Sequence, residues 1–430
     1  MEMTQITKAK KGITTDQMKN VAKTEKVDVD IVRRRVAEGK IVIPYNPVHS
    51  PKALGIGKGL RVKVNANIGT SRERCDLDEE IAKAKAAVEA GAHAVMDLST
   101  GGDLDKIRVS LLKVVDVPFG TVPIYQAAVE SIKKHGNIVD MTEDDMFNAF
   151  EKQAKQGVDF TVAHVGVTRQ SVERLRKQRR LIPMVSRGGA FHMAWILHNS
   201  EENPLYKNFD YLLEIAKEYD LTLSLGDGMR SGAIYDSNDR AKFQELLIIG
   251  ELVERAREAG VQSMVEGPGH MPLNHIQANI EIMKTVTKNA PYFVLGPLVT
   301  DIAPGYDHFI GGIGGAIAGY YGADFLCYVT PAEHLSLPIV EDVRQGVIAT
   351  RIAAHAADLA RGVDTQLDQE FSQARESLNW KKMFELCIDP KKAKEYRKKN
   401  PPHEDPSTCT MCGKLCAIKI VNEYLNKYEN

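Results

Sequence analysis

Cysteine is scarce in this chain of 430 residues: there are six, and three of them, Cys409, Cys412 and Cys416, fall within the last 22 positions. So few thiols cannot form a disulfide framework in a chain this long, which points to a reducing, cytoplasmic compartment. Excess charge is missing too. The 56 Lys+Arg balance 57 Asp+Glu to a formal net charge of −1, so there is no polycationic footprint for nucleic acid and no basic field for an anionic membrane. No long apolar run is present. The most apolar stretch, 309–329, carries six glycines and Asp324 and would make a poor bilayer helix. The N-terminus is polar and basic with no apolar segment behind it, unlike an export signal. Glycine and proline, 33 and 18 residues, are near average usage and exclude collagen-like or low-complexity structure.

What is present is a long alternation. Residues 1–58 form an accessory segment in which Thr15 and Asp28 are placed to cap two short helices. Across 59–360, short β-branched runs alternate with amphipathic helical ones. Strands are predicted at 60–65, 94–98, 121–124, 159–163, 182–185, 222–225, 262–265, 292–295 and 325–329. Eight or nine such units fit an α/β (β/α)8 barrel better than an open sheet, and no G-x-G-x-x-G opens the first helix. Residues 361–400 read as a helical extension and linker, with the charged, proline-bearing span 388–408 expected to be mobile. Residues 401–430 form a tail with the cysteines and a final helix.

In a parallel barrel the chemistry sits at the C-terminal ends of the strands. Those ends carry Asn67, Met96, Tyr125 and His164, then Ser186-Arg187-Gly188, Asp227-Gly228-Met229-Arg230 and Glu266, with His270 and His334 further on. Glycine admits close backbone approach, and Ser-Arg-Gly-Gly and Asp-Gly-Met-Arg each pair N–H groups with a guanidinium suited to phosphate. One glycine-bearing loop is ordinary; seven or more in register point to a polar, phosphorylated small molecule. His164 ends a strand and is expected to touch substrate. His270 and His334 could reach one divalent ion in the mouth, with His308 on the same face.

The tail motif Cys409-x2-Cys412-x3-Cys416 can aim three thiols at one metal centre. A structural zinc site would need a fourth ligand, which His403 could supply, and would make the chain a zinc-knuckle binding protein. A [4Fe–4S] cluster on three thiolates would instead leave one iron open.

Taken together, V-N-A-N-I-G, M-D-L-S-T-G, G-T-V-P-I-Y-Q, S-R-G-G, L-S-L-G-D-G, E-G-P-G-H, T-D-I-A-P-G-Y-D-H, C-Y-V-T-P-x-E-H-L and the tail cysteines resemble the phosphomethylpyrimidine synthase family of radical S-adenosylmethionine enzymes, in its short form. The resemblance implies 5-aminoimidazole ribotide as substrate, bound by Asn67, Met96, Tyr125, His164, Ser186, Arg187, Gly188, Asp227, Gly228, Met229, Arg230 and Glu266, with Glu266 and His164 as catalytic candidates. It implies one mononuclear zinc or iron on His270 and His334. It also implies a [4Fe–4S] cluster on Cys409, Cys412 and Cys416 that binds S-adenosylmethionine, a flavodoxin or ferredoxin as electron donor, and a homodimer in which each tail closes the partner's barrel.

Four departures lie beside these motifs. Val162-Ala163 stands where the family reads T-I before the histidine, and Ser231 replaces a proline. Ala190-Phe191-His192-Met193 follows S-R-G-G, and Ile310-Gly311 replaces a hydroxyl-bearing pair. Drift would account for them. A cavity reshaped by Phe191 and His192 would instead indicate the related 5-hydroxybenzimidazole synthase, which takes the same substrate toward the lower ligand of an anaerobic cobamide, and the sequence favours that reading over the thiamine pyrimidine.

Overall fold

In the computed structural model, which describes residues 3–428, eight parallel strands close into a barrel. An antiparallel ribbon, β1 (Ile41–Val42) with β2 (Ile56–Gly57), precedes it. The barrel strands are β3 (Lys63–Ile68), β4 (Ala94–Asp97), β5 (Phe119–Thr121), β6 (Phe160–Ala163), β7 (Thr222–Leu225), β8 (Ser263–Gly267), β9 (Tyr292–Leu295) and β10 (Phe325–Cys327). Sequential strands are neighbours, and β10 closes on β3 with Cys327 opposite Asn65. The fold is an α/β (β/α)8 barrel.

The run 182–185 is not a strand. Pro183 offers no N–H to a ladder and restricts the residue before it. The N–H groups of Leu181 and Ile182 donate instead to the Asp236 carboxylate at 3.0 and 2.9 Å, and Leu181 is 70% exposed. The chain there forms an irregular loop that delivers Ser186 as the N-cap of helix Arg187–Asn199. The strand expected at 121–124 ends at Thr121, because Pro123 opens helix Pro123–His135.

Side chains close the barrel beneath the mouth. Phe293 stacks on Phe325 at 4.3 Å, and Phe160 meets Phe325 edge-on at 6.2 Å. Such aromatic pairs add about 0.5–1.5 kcal/mol each beyond their burial. The N-terminal segment covers the opposite end, where the strands begin. Thr15 and Asp28 cap helices Asp16–Glu25 and Val29–Ala37 as the sequence indicates. Glu25 then accepts from the Arg61 N–H at 2.9 Å and pairs with buried Lys63 at 3.3 Å. Asp159, just before β6, accepts from the N–H groups of Asn46 and Phe119 and from His49, each at 2.7 Å. These contacts tie the N-terminal segment to the strand starts, at the end of the barrel away from the C-terminal mouth.

The chain divides into two compact units, Met1–Arg361 and Gly362–Asn430. The second contains helices Gln366–Glu376, Trp380–Leu386, Pro390–Lys399 and Ala417–Tyr428. Part of the span read as a mobile linker is therefore helical: Asp389 caps it by accepting from Lys392 N–H at 3.1 Å, and Pro390 takes the first position. No helix among the described residues is long and apolar enough to cross a membrane.

Candidate functional site

A cavity opens at the C-terminal ends of the strands, lined by Asn67, Met96, Tyr125, His164, Asp227, Arg230 and Glu266 together with Phe293 and Cys327. Seven of the expected residues thus share one wall. Each comes from a different strand end except Asp227 and Arg230, which share the loop after β7. A second space adjoins at Arg230 and carries His270, Asp301, Asp307, Glu333 and His334. A third shares Asn67, Tyr125 and Arg230 with the first and adds Thr70, Ser71, Thr100 and Arg187.

Polar atoms around the first cavity are buried without a hydrogen-bond partner in the protein. Among the described residues these include Asn65 Oδ1, His164 Nδ1, both ring nitrogens of His192, Asp227 Oδ2 and Arg230 Nε. A buried unsatisfied group costs about 1–3 kcal/mol, so their concentration at one place marks a surface shaped for a polar ligand. The electrostatics agree. Burial pushes Glu266 up to about 7, with Asp227 adding to the shift and Arg230 opposing it, so its carboxyl exchanges a proton near neutrality. Burial, reinforced by His192 and Arg230, drives His164 well below the ordinary imidazole range and leaves the ring neutral. Asp227 is raised by burial, with Arg230 and Lys242 opposing.

Arg187 opens helix Arg187–Asn199, capped by Ser186 Oγ, which accepts from Gly189 N–H at 3.2 Å. Its guanidinium lies 5.1 Å from the Tyr125 ring centroid. A guanidinium at a helix N-terminus is a natural anion seat. Gly188 lies behind the wall, where a Cβ would clash with the His164 ring, 2.2 Å from its Cε1. Gly228 and Met229 do not present free N–H groups to a ligand, contrary to the expectation from D-G-M-R. Their N–H groups donate to Glu245 at 2.9 and 2.7 Å, and Met229 is fully buried. Glu245 thus takes up the loop's donors and shapes the turn that aims Asp227 and Arg230.

His270 and His334 come together, with ring centroids 5.2 Å apart. Each Nδ1 meets a carboxylate, Asp301 at 2.7 Å and Asp307 at 3.2 Å, the arrangement that fixes the ring and leaves Nε2 to a metal. Two such imidazoles fit as part of a mononuclear site. His308 packs against Phe309 instead, with ring centroids 4.2 Å apart and planes tilted by 36°. Among the described residues no set of three or more His, Cys, Asp or Glu side chains is assembled for a metal ion, so neither a closed zinc knuckle with His403 nor a third ligand beside the histidine pair is preformed.

In the tail, Cys409, Cys412 and Cys416 flank a single 3-10 turn, with Gly413 N–H donating to Cys409 O at 2.9 Å. The N–H groups of Cys412 and Met411 hold the Cys409 thiol below its ordinary value. The three thiols are not gathered around one point either, so neither the zinc nor the cluster arrangement is preformed in the tail.

Sequence reasoning missed Cys327, read as a small hydrophobe. It lies on the cavity wall, receives Asn67 Nδ2 at 2.9 Å, and burial pushes its thiol up to about 12. Its position at the end of β10 was the available signal. Asp301, Asp307 and Glu245 were missed because each acts through another residue, across 16 to 31 positions of sequence.

The chain matches the model of the radical SAM ThiC family over residues 4–423. It is 56% identical over 423 residues to a phosphomethylpyrimidine synthase of Methanocaldococcus jannaschii, covering 98% of this chain and 99% of that one. Proteins of the same name from Pyrococcus abyssi (99% of both chains) and Desulforudis audaxviator (100% of both) are each 58% identical to it.

Proposed function

The chain belongs to the radical SAM ThiC family, and on that premise we propose that it rearranges 5-aminoimidazole ribotide into 4-amino-5-hydroxymethyl-2-methylpyrimidine phosphate. The observation that carries this reading is the ring of unpartnered buried polar atoms on Asp227, Arg230 and His164, beside an arginine at a helix N-terminus. Such a wall suits a heterocycle bearing a ribose phosphate. When bound, a [4Fe–4S] cluster on Cys409, Cys412 and Cys416 with S-adenosylmethionine would supply a 5′-deoxyadenosyl radical. The remaining work falls to the chain. Arg187 and Arg230 bind phosphate, and Asn67 and Asp227 orient the ribotide. Neutral His164 and Glu266, poised near pH 7, hold or move protons at the imidazole Nε2 and the carboxyl oxygens. The reading includes a mononuclear metal on His270 and His334, a one-electron donor and a homodimer.

The product follows the name shared by the full-length relatives, which supports the pyrimidine phosphate over 5-hydroxybenzimidazole. The departures weigh less once placed. Ser231 is buried and its hydroxyl donates to the His270 carbonyl, so it braces the metal loop and leaves the substrate wall unchanged. At Gly311 a Cβ would press on Val329, which makes that position one of packing. Val162 on the cavity wall, Phe191 edge-on to Tyr125 at 6.0 Å, and fully buried His192, its ring centroid 6.1 Å from that of His164, are the departures that keep 5-hydroxybenzimidazole as a second reading.

Anaerobic reconstitution tests the reaction class. 5′-Deoxyadenosine should form only when 5-aminoimidazole ribotide is present, and in proportion to its consumption. Reconstituted protein that cleaves no S-adenosylmethionine with ribotide present would overturn the reading.

A further inference from the structure

Helix Pro390–Lys399 has the sequence P-K-K-A-K-E-Y-R-K-K and buries no residue. Lys391, Lys392, Lys394, Lys398 and Lys399 are exposed, and among the described residues none of their ammonium groups has a carboxylate within 4 Å. The ordinary account of such a helix is a solvated face, and it covers half of the pattern. Cations in the last turn, at Arg397, Lys398 and Lys399, are favoured by the helix dipole. Lys391 and Lys392 stand in the first turn, where the same dipole opposes them, each by about 0.3–1 kcal/mol. Lys394 and Lys398 repel each other one turn apart. These lysines leave the helix with an exposed basic face that is unpaired within the described residues.

The helix is also fixed to the cysteine loop. Arg397 lies over the Trp380 ring, 3.7 Å from its centroid. It donates to Thr408 O at 3.1 Å and to Pro406 O at 2.5 Å, and Thr408 directly precedes Cys409. A basic surface is thereby rigidly coupled to the residues that would hold the cluster.

We propose that helix Pro390–Lys399 is the docking surface for a small acidic one-electron carrier protein that reduces the cluster. The inference rests on the radical reading above and adds the place of electron delivery. One electron leaves the carrier's reduced flavin or iron–sulfur centre and one is gained at the cluster; no bond forms or breaks in that transfer. A patch this small fits the weak, charge-steered encounters typical of electron transfer. With a whole-chain charge of −1, the attraction is local to this helix and does not arise from a general basic field.

The test uses reduced flavodoxin as the probe and the full-length protein with Lys391→Glu, Lys392→Glu and Lys394→Glu combined. A second triple variant, R174E/K177E/R240E, matches the charge change on an exposed basic group of the barrel. Flavodoxin affinity, measured by titration at several salt concentrations, should fall about 10-fold or more in the first variant and lose most of its salt dependence. The control should bind as wild type does. Flavodoxin-driven 5′-deoxyadenosine formation should fall in step with affinity, while the dithionite-driven rate stays unchanged. Equal flavodoxin affinity and equal salt dependence in the helix variant and wild type would overturn the proposal. Absence of dithionite-driven 5′-deoxyadenosine in wild type would instead overturn the radical reading, with the binding titration still deciding for the helix.

Discussion

His270 and His334 face each other with ring centroids 5.2 Å apart and planes inclined by 54°, and each is steered by its own carboxylate, Asp301 or Asp307. The carboxylates set which ring nitrogen is free, so their removal should weaken a metal without touching it. Asp301→Asn is expected to lower zinc or iron(II) affinity about 10–100-fold, read by titrating the cluster-free protein. Unchanged affinity would mean the histidine pair is not a metal site.

Glu266 links the cavity to pH. Burial raises its carboxyl from about 4.5 to about 7, so between these values the folded protein holds a proton that the unfolded chain has released. Its contribution to stability is therefore full below about pH 4.5 and is lost as pH rises through 7. Glu266→Gln removes the titration. By calorimetry on cluster-free protein, the variant should lose less stability than wild type between pH 5 and 8. At pH 8 it should be more stable by on the order of 2 kcal/mol, while turnover falls. Parallel pH profiles for the two proteins would refute the shift.

His192 is buried with neither ring nitrogen paired, and burial lowers its pKa to about 3. A neutral imidazole kept there against an unsatisfied-group cost of about 1–3 kcal/mol is a functional expense. His192→Leu should raise thermal stability and change turnover or product ratio. A variant that melts lower than wild type would show that the imidazole is structurally satisfied.

Gly188 is held to glycine by the His164 ring. Gly188→Ala should displace that ring and cut kcat/KM by about 100-fold, since a shift near 1 Å at a reacting geometry costs that much. Wild-type kinetics in this variant would place His164 outside the reaction.

Much of the barrel could be read from the alternation of short, mostly buried runs such as Ala94–Asp97, Phe160–Ala163 and Tyr292–Leu295 with longer amphipathic helices. The run 182–185 looked the same and is not a strand, since Pro183 and the Asp236 carboxylate decide its backbone. Of the site, the residues at strand ends were legible by position, as Asn67, His164 and Glu266 show. Glu245, Asp301 and Asp307 were not, because a residue that acts by holding another leaves no local pattern. The loop Asp227–Arg230 misled in one respect: its free-looking N–H groups are already taken by Glu245.

The central claim is the product. Anaerobic turnover of the reconstituted protein with 5-aminoimidazole ribotide, S-adenosylmethionine and a reductant, followed by mass spectrometry against both standards, tests it most directly. The account predicts 4-amino-5-hydroxymethyl-2-methylpyrimidine phosphate as the main product. Accumulation of 5-hydroxybenzimidazole in its place would contradict the account and assign the chemistry to the cavity that His192 reshapes.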